Sequence, residues 1–264
     1  MVKKLAKYAL LFLVLAFIYT PILVLVIFSF TDSDLIGNWN GFSFNLYIKL
    51  FNDSKIMKIV RDTVLLAVGA GIISTILGTM GAIGIFYSKK RTANFLNVLG
   101  NIPIVNAEIV TALALALMFA FVLIFLNKSI YSLVIGHVVI SVPYVVLSVL
   151  PKLKQMDANT YEAALDLGAT PFKALFSVVI PEILPGILSG FMLAITLSLD
   201  DYIVTAFTKP DRFNTISTYV YNAVKVPEHS SLPALRALSA IIFLVIIIAV
   251  VIMNVKAGKK EERK

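Results

Sequence analysis

Six apolar runs dominate the chain: Tyr8–Phe30, Thr63–Tyr87, Ile104–Leu126, Ile130–Leu150, Ile187–Phe207 and Ala234–Met253. Each is 20 to 25 residues long, the length a helix needs to cross the roughly 30 Å hydrocarbon core of a bilayer. Together they make up about half of the 264 residues. Composition agrees: 59% of side chains are hydrophobic and 14% charged, against about 45–50% and about 25% in soluble domains. A water-soluble globule has no room to hide that much apolar surface, and disorder goes with low hydrophobicity. The expected fold is therefore all-α and integral to a membrane, with six transmembrane helices in one domain spanning 1–264. Pro103 should interrupt any helix running from Phe95 into the third span.

The first run opens like a secretory signal, but it continues to Phe30, beyond an apolar core of about 7–15 residues, and carries no small-x-small cleavage site. It is expected to stay as the first span. Basic residues are denser on 1–7, 88–103, 151–186 and 254–264 than on 31–62, 127–129 and 208–233, and Lys89-Lys90-Arg91 abuts the second span. The positive-inside rule then puts both termini in the cytoplasm. The net charge of +8 belongs to these orienting loops rather than to nucleic-acid binding. Lys259, Lys260, Arg263 and Lys264 read as a solvated, lipid-facing tail. Trp39, Phe42, Phe44 and Tyr47 in the first outer loop suit a membrane interface or ordinary loop packing equally.

No cysteine and only two histidines, His137 and His229, are present. That excludes a disulfide framework and a thiolate site, and argues against a zinc site or a cysteine or serine–histidine enzyme. No metal is expected. No phosphate loop of the G-x-x-x-x-G-K-[ST] type occurs, so the chain is not expected to hydrolyse ATP.

The stretch 151–186 carries orderly local signals. Asn159 is placed to cap a helix, with Glu162 three residues on as in a capping box. Gly168 suits a helix-ending position with φ > 0. Thr170 then caps a second helix with Pro171 at its first position, and Pro181 and Pro185 discourage its continuation. The expected product is helix, tight turn, helix between two spans. Small Ala163 and Ala164 beside an exposed Glu162 suit insertion into a partner's cleft.

Glu162-Ala163-Ala164, then Gly168, then Val178-x-Ile180-Pro181 resembles the EAA loop of ABC-importer permeases, with V-x-I-P where the family pattern has I-x-L-P. GNWNGFSFNLYIKLF, GHVVISVPYVV and TLSLDDYIV look more specifically like the permeases of spermidine/putrescine importers. The resemblance implies a MetI-like transmembrane domain in a bacterial cytoplasmic membrane. It further implies that Glu162, Ala163, Ala164, Gly168 and Pro181 couple to a separate ATPase that uses ATP, no cofactor being bound by this chain. The implied partners are a second related permease, two ATPase subunits and an extracytoplasmic binding protein. Related machines carry iron, thiamine or anions; a secondary transporter is the rival class, but no matched pair of interrupted spans is evident.

Glu108, Asp200 and Asp201 are acids in or beside apolar spans, where a carboxylate costs about 2.5–3.5 kcal/mol at the centre. With Tyr202 they are the candidate substrate path, and paired acids suit a polycation. Asp201 is expected inside the fifth helix, about 9 Å from its outer end, with a structural ion pair as the competing role. His137 reads as a hydrogen-bonded packing residue. Ala70, Ser74, Gly78 and Ala82 form a small-residue stripe that permits close helix contact with a neighbour the sequence does not identify.

Overall fold

The computed structural model describes residues 2–33, 37–225, 233–245 and 247. Among these, regular structure is helical, and the strand-like pairing is an isolated bridge between Thr31 and Phe42. In chain order the helices are α1 (Val2–Phe28), α2 (Asn45–Asn52), α3 (Ser54–Tyr87), α4 (Lys90–Val105), α5 (Glu108–Phe121) and α6 (Ile130–Gln155). There follow α7 (Ala158–Asp166), α8 (Pro171–Ala174), α9 (Ile180–Asp200), α10 (Ile203–Thr208) and α11 (Ile216–Lys225), then α12 (Pro233–Val245).

Four helical stretches are long and apolar enough to cross a membrane: Leu10–Phe28, Ser54–Tyr87, Ile130–Gln155 and Pro171–Asp200. The third expected span is not one rod. It is the pair α4 and α5, bent by 103°, and the bend falls at Asn106 and Ala107, both extended, rather than at Pro103. Pro103 lies in the last turn of α4, two residues before the helix ends; it withholds one intrahelical bond from the Leu99 carbonyl without breaking the helix. The sixth expected span is described as helix from Pro233 to Val245; its remainder and the basic tail lie outside the described residues.

The fifth span also differs from expectation. Its helix starts early, because α8 and α9 join through a π-helical turn, Leu175–Val179. Pro181 and Pro185 do not stop it. A proline lacks its N–H and crowds the carbonyl four residues back, and the wider π turn sits where Pro181 would crowd Ser177. The helix then stops at Asp200, seven residues short of Phe207.

The described residues fall into two compact units. In the unit of Met1–Lys58 and Val220–Lys264, the loop aromatics pack on one another. Phe30 stacks on Phe42 at 5.6 Å, Trp39 meets Phe28 edge-on, and the Tyr47 hydroxyl hydrogen-bonds Ser29 Oγ at 2.7 Å. Asp32 accepts from Asn45 and Lys49, which hold its pKa below the usual carboxylate value. Arg236 of α12 donates to the Ser33 carbonyl. Phe12 and Phe17 of α1 are 74% and 80% exposed, an apolar face suited to lipid.

In the unit of Ile59–Tyr219, α6 is the central strut. The small-residue stripe of α3 meets it: a Cβ on Gly78 would stand 2.6 Å from Val145 Cβ. From α9 a second small-residue stripe, Gly186, Gly190, Ala194 and Ser198, is fully buried. Gly186 lies against the Ser148 carbonyl and Gly190 against Val145. Val145, Val149, Leu153, Val179 and Ile183 fill the core between these helices. A second core joins Ala112, Leu115 and Phe119 of α5 to Val204 of α10.

The contact at Gly78 yields a stability test. Gly78→Ala overfills it and should cost roughly 1–3 kcal/mol. Gly84→Ala adds its methyl to open space and should be neutral or stabilising by up to about 1 kcal/mol. Thermal scans in detergent would compare them; equal melting temperatures would mean that α3 does not approach α6 through Gly78.

Candidate functional site

The stretch between α6 and α9 is a fixed appendage of the core. Asp157, not Asn159, caps α7: its carboxylate accepts from the Asn159 N–H at 3.0 Å. An anion two residues upstream suits the positive helix end better than a neutral amide, so the expected capping box does not form. Gly168 ends α7 with φ +84°. The Gly168 N–H donates to the Leu165 carbonyl and the Ala169 N–H to that of Ala164, the Schellman pattern. Thr170 caps α8 by accepting from the Lys173 N–H, with Pro171 at the first turn, as the sequence predicts.

This motif leaves a distinct outer surface. Glu162, Ala163 and Pro181 are exposed, and Ala164 is half-buried. Leu167 is 89% and Phe172 72% exposed, and the Phe172 and Phe176 rings lie 4.5 Å apart. On the inner side Tyr161 packs on Tyr87, and Leu175 and Ile180 join the core of α6 and α9. A push on the outer surface therefore reaches two long helices directly.

The second constellation lies where two helices break. Asp201 is not within a helix. Its backbone is extended, with φ −62° and ψ 122°, because its carboxylate takes the amides that open α10. Oδ1 accepts from the Val204 N–H at 3.1 Å; Oδ2 accepts from the Thr205 N–H at 2.7 Å and the Thr205 hydroxyl at 2.6 Å. An aspartate that caps a new helix ends the old one. Asp201 is 4% exposed, and the Ser217 hydroxyl donates to its carbonyl.

Glu108 opens α5 just after the 103° bend. Its carboxyl group is near enough to Asp201 and Asp200 to feel their charges. Asp200 and Glu108 are exposed, and Tyr202 is half-buried at the start of α10. All four candidate path residues thus stand at or beside chain breaks. Like charges gathered in this way favour a cation beside them. Beyond α10, burial depresses the Lys209 pKa despite the Asp211 charge, with Lys128 adding to the depression; its ammonium donates to the Phe213 carbonyl and Asn214 Oδ1. Among the described residues no group of three or more His, Asp or Glu could hold a metal.

Residues 74–257 match the family model of the binding-protein-dependent transport system inner membrane component. The chain belongs to that family. It is 29% identical to the spermidine/putrescine transport system permease protein PotC of Escherichia coli, over 89% of this chain and 88% of the relative. It is 32% identical to the putrescine transport system permease protein PotI of the same organism, over 84% and 81%. The PotC protein of Haemophilus influenzae is 30% identical over 91% and 93%. The chain is thus a multi-pass membrane permease component of an ABC transporter.

Two features of this permease lie outside its sequence motifs. His137 is fully buried and hydrogen-bonds both Ser198 and Thr205, so its packing role stands, yet its partners are visible only once α6, α9 and α10 meet. The stripe Gly186, Gly190, Ala194 and Ser198 carries the same four-residue spacing as that of α3 and was readable from sequence.

Gly168 supplies the test of the first constellation. Gly168→Val forces a β-branched residue into the left-handed region at a cost of about 1–2 kcal/mol and should tilt α7. Transport by the assembled transporter should fall at least tenfold with membrane insertion retained, whereas Gly168→Asn, which tolerates that region, should lose much less. Uptake beside an immunoblot of the membrane fraction checks this; full activity of Gly168→Val would make the motif a simple connector.

Proposed function

We propose that the chain is a permease subunit of an ATP-driven importer carrying polyamines, such as spermidine and putrescine, inward across the bacterial cytoplasmic membrane. The observation that carries the polyamine reading is the exposed pair Glu108 and Asp200 at two helix breaks, in a chain whose relatives are named for spermidine and putrescine transport. A flexible polycation is attracted to such a site, and an anion is repelled. Asp201 stands behind the two exposed acids, its carboxylate engaged with the start of α10.

In this proposal six spans cross the membrane, both termini are cytoplasmic, and the 151–186 loop faces the cytoplasm. Its exposed surface of Glu162, Ala163, Leu167 and Phe172 docks on an ATPase subunit. Closure of that ATPase on ATP pushes α7 and α8, and the shared core of α6 and α9 carries the push into the spans. A second, related permease completes the path, two ATPase subunits drive it, and an extracytoplasmic binding protein delivers substrate.

Two outcomes are expected. Asp200→Asn combined with Glu108→Gln removes both exposed charges while keeping size, and each lost charge-assisted contact is worth about 1.5–3 kcal/mol. Radiolabelled spermidine uptake should therefore fall more than tenfold with the complex recovered in normal yield; undiminished uptake would remove the cation path. The purified chain alone should hydrolyse no ATP, while the assembled complex should do so. Hydrolysis by the lone chain, free of copurifying protein, would overturn the division of labour.

A further inference from the structure

The carboxylates of Asp200 and Asp201 are adjacent in sequence but unlike in surroundings. Asp200 is exposed and makes no hydrogen bond or ion pair among the described residues. Asp201 is buried and accepts three hydrogen bonds from α10. Those bonds continue into a chain of side chains. His137 Nε2 lies 3.0 Å from Thr205 Oγ1 and 3.6 Å from Asp201 Oδ2, and His137 Nδ1 lies 2.7 Å from Ser198 Oγ.

Proton accounting gives this chain one direction. The Thr205 hydroxyl has a single hydrogen, and at 2.6 Å it points to the Asp201 carboxylate. The oxygen of Thr205 must then accept from His137 Nε2–H. A neutral imidazole so arranged has its lone pair on Nδ1, which accepts the hydrogen of the Ser198 hydroxyl. The order is Ser198 to His137 to Thr205 to Asp201, crossing α9, α6 and α10, with His137 and Thr205 fully buried and Ser198 1% exposed. Two further contacts clamp α10 to the same helix: the Ser132 hydroxyl donates to the Thr208 carbonyl at 2.9 Å, and Gly136 leaves room for Val204.

We propose that Asp201 and the Thr205–His137–Ser198 relay are positioning residues that freeze the corner between α9 and α10, so that Asp200 is the acid aimed at the cation. This rests on the polyamine path proposed above and divides the labour within it. A carboxylate already holding two amides and a hydroxyl has little capacity left for a substrate ammonium. A corner held from three helices fixes the direction in which its one exposed carboxylate points.

The test is a set of double-mutant cycles on the Michaelis constant for spermidine uptake by the complete transporter, since residues acting through a common partner lose additivity. Asp200→Asn should raise KM tenfold or more. Thr205→Val is nearly isosteric but breaks the relay, and should raise KM roughly three- to fivefold; Thr205→Ser restores the hydroxyl and should return KM to the wild-type value. In the Asp200→Asn background, neither Thr205→Val nor Asp201→Asn should raise KM further. Effects that multiply would make Asp201 a ligand in its own right, and a wild-type KM for Thr205→Val would make the relay idle; either overturns the proposal.

A wild-type complex that takes up no polyamine would instead sink the functional reading. The relay is then judged without substrate. The chain has no native cysteine, so Asp200→Cys gives it a single thiol, read as a mass shift of this subunit alone with a polyethylene-glycol maleimide in membranes. Adding Thr205→Val should change that labelling rate at least threefold and adding Thr205→Ser should not; equal rates for both would overturn the relay.

Discussion

Close approach to α6 is the constraint on which the second unit depends. Lipid tails are as apolar as leucine, so helices in a membrane gain little by hiding side chains from it and associate instead through fit. Val145 receives Gly78 from one side and Gly190 from the other, each within a distance that a methyl group would violate or crowd. Because α3 and α9 lie that near, the core of Val149, Leu153, Val179 and Ile183 closes between them. The 151–186 motif, anchored through Tyr161 and Leu175, is then held against the same core.

The breaks obey a related rule. A helix that begins where water is scarce leaves backbone amides that must find partners. At the α9–α10 corner Asp201 supplies them, and an acid that is costly to insert becomes a structural acceptor as well as a charge. At the α4–α5 bend, Glu108 opens a helix whose positive end favours a carboxylate. Both acids therefore have a local reason to sit at chain breaks, and those breaks bring them together.

What the sequence makes legible follows from the range of each interaction. The apolar runs, Gly168 with its positive φ, and Thr170 with Pro171 are local and were readable, because they depend on a few consecutive residues. Family membership was readable from the same loop. The 103° bend was misplaced by a few residues, since Pro103 is tolerated in a final turn and the decisive event is the extended pair after it. The cap at Asp157 was missed in favour of Asn159, two acceptors competing over one turn. Asp201 was placed inside a helix because hydropathy ignores capping, although Asp is among the residues preferred at a helix start. The partners of His137 lie 61 and 68 residues away, and no local pattern encodes them.

The π-helical turn at Leu175–Val179 has a geometric consequence of its own. A π turn holds one residue more than an α turn would, and one residue is about 100° of rotation about the axis. The faces of α8 and α9 are therefore out of phase by about a quarter turn relative to an unbroken helix. That offset lets the buried stripe of α9 point at α6 while Phe172 points away from the core. The turn works as a fixed gear between two surfaces that must face different ways on one rod, so deleting the exposed Ser177 would misalign one of them without removing a core residue.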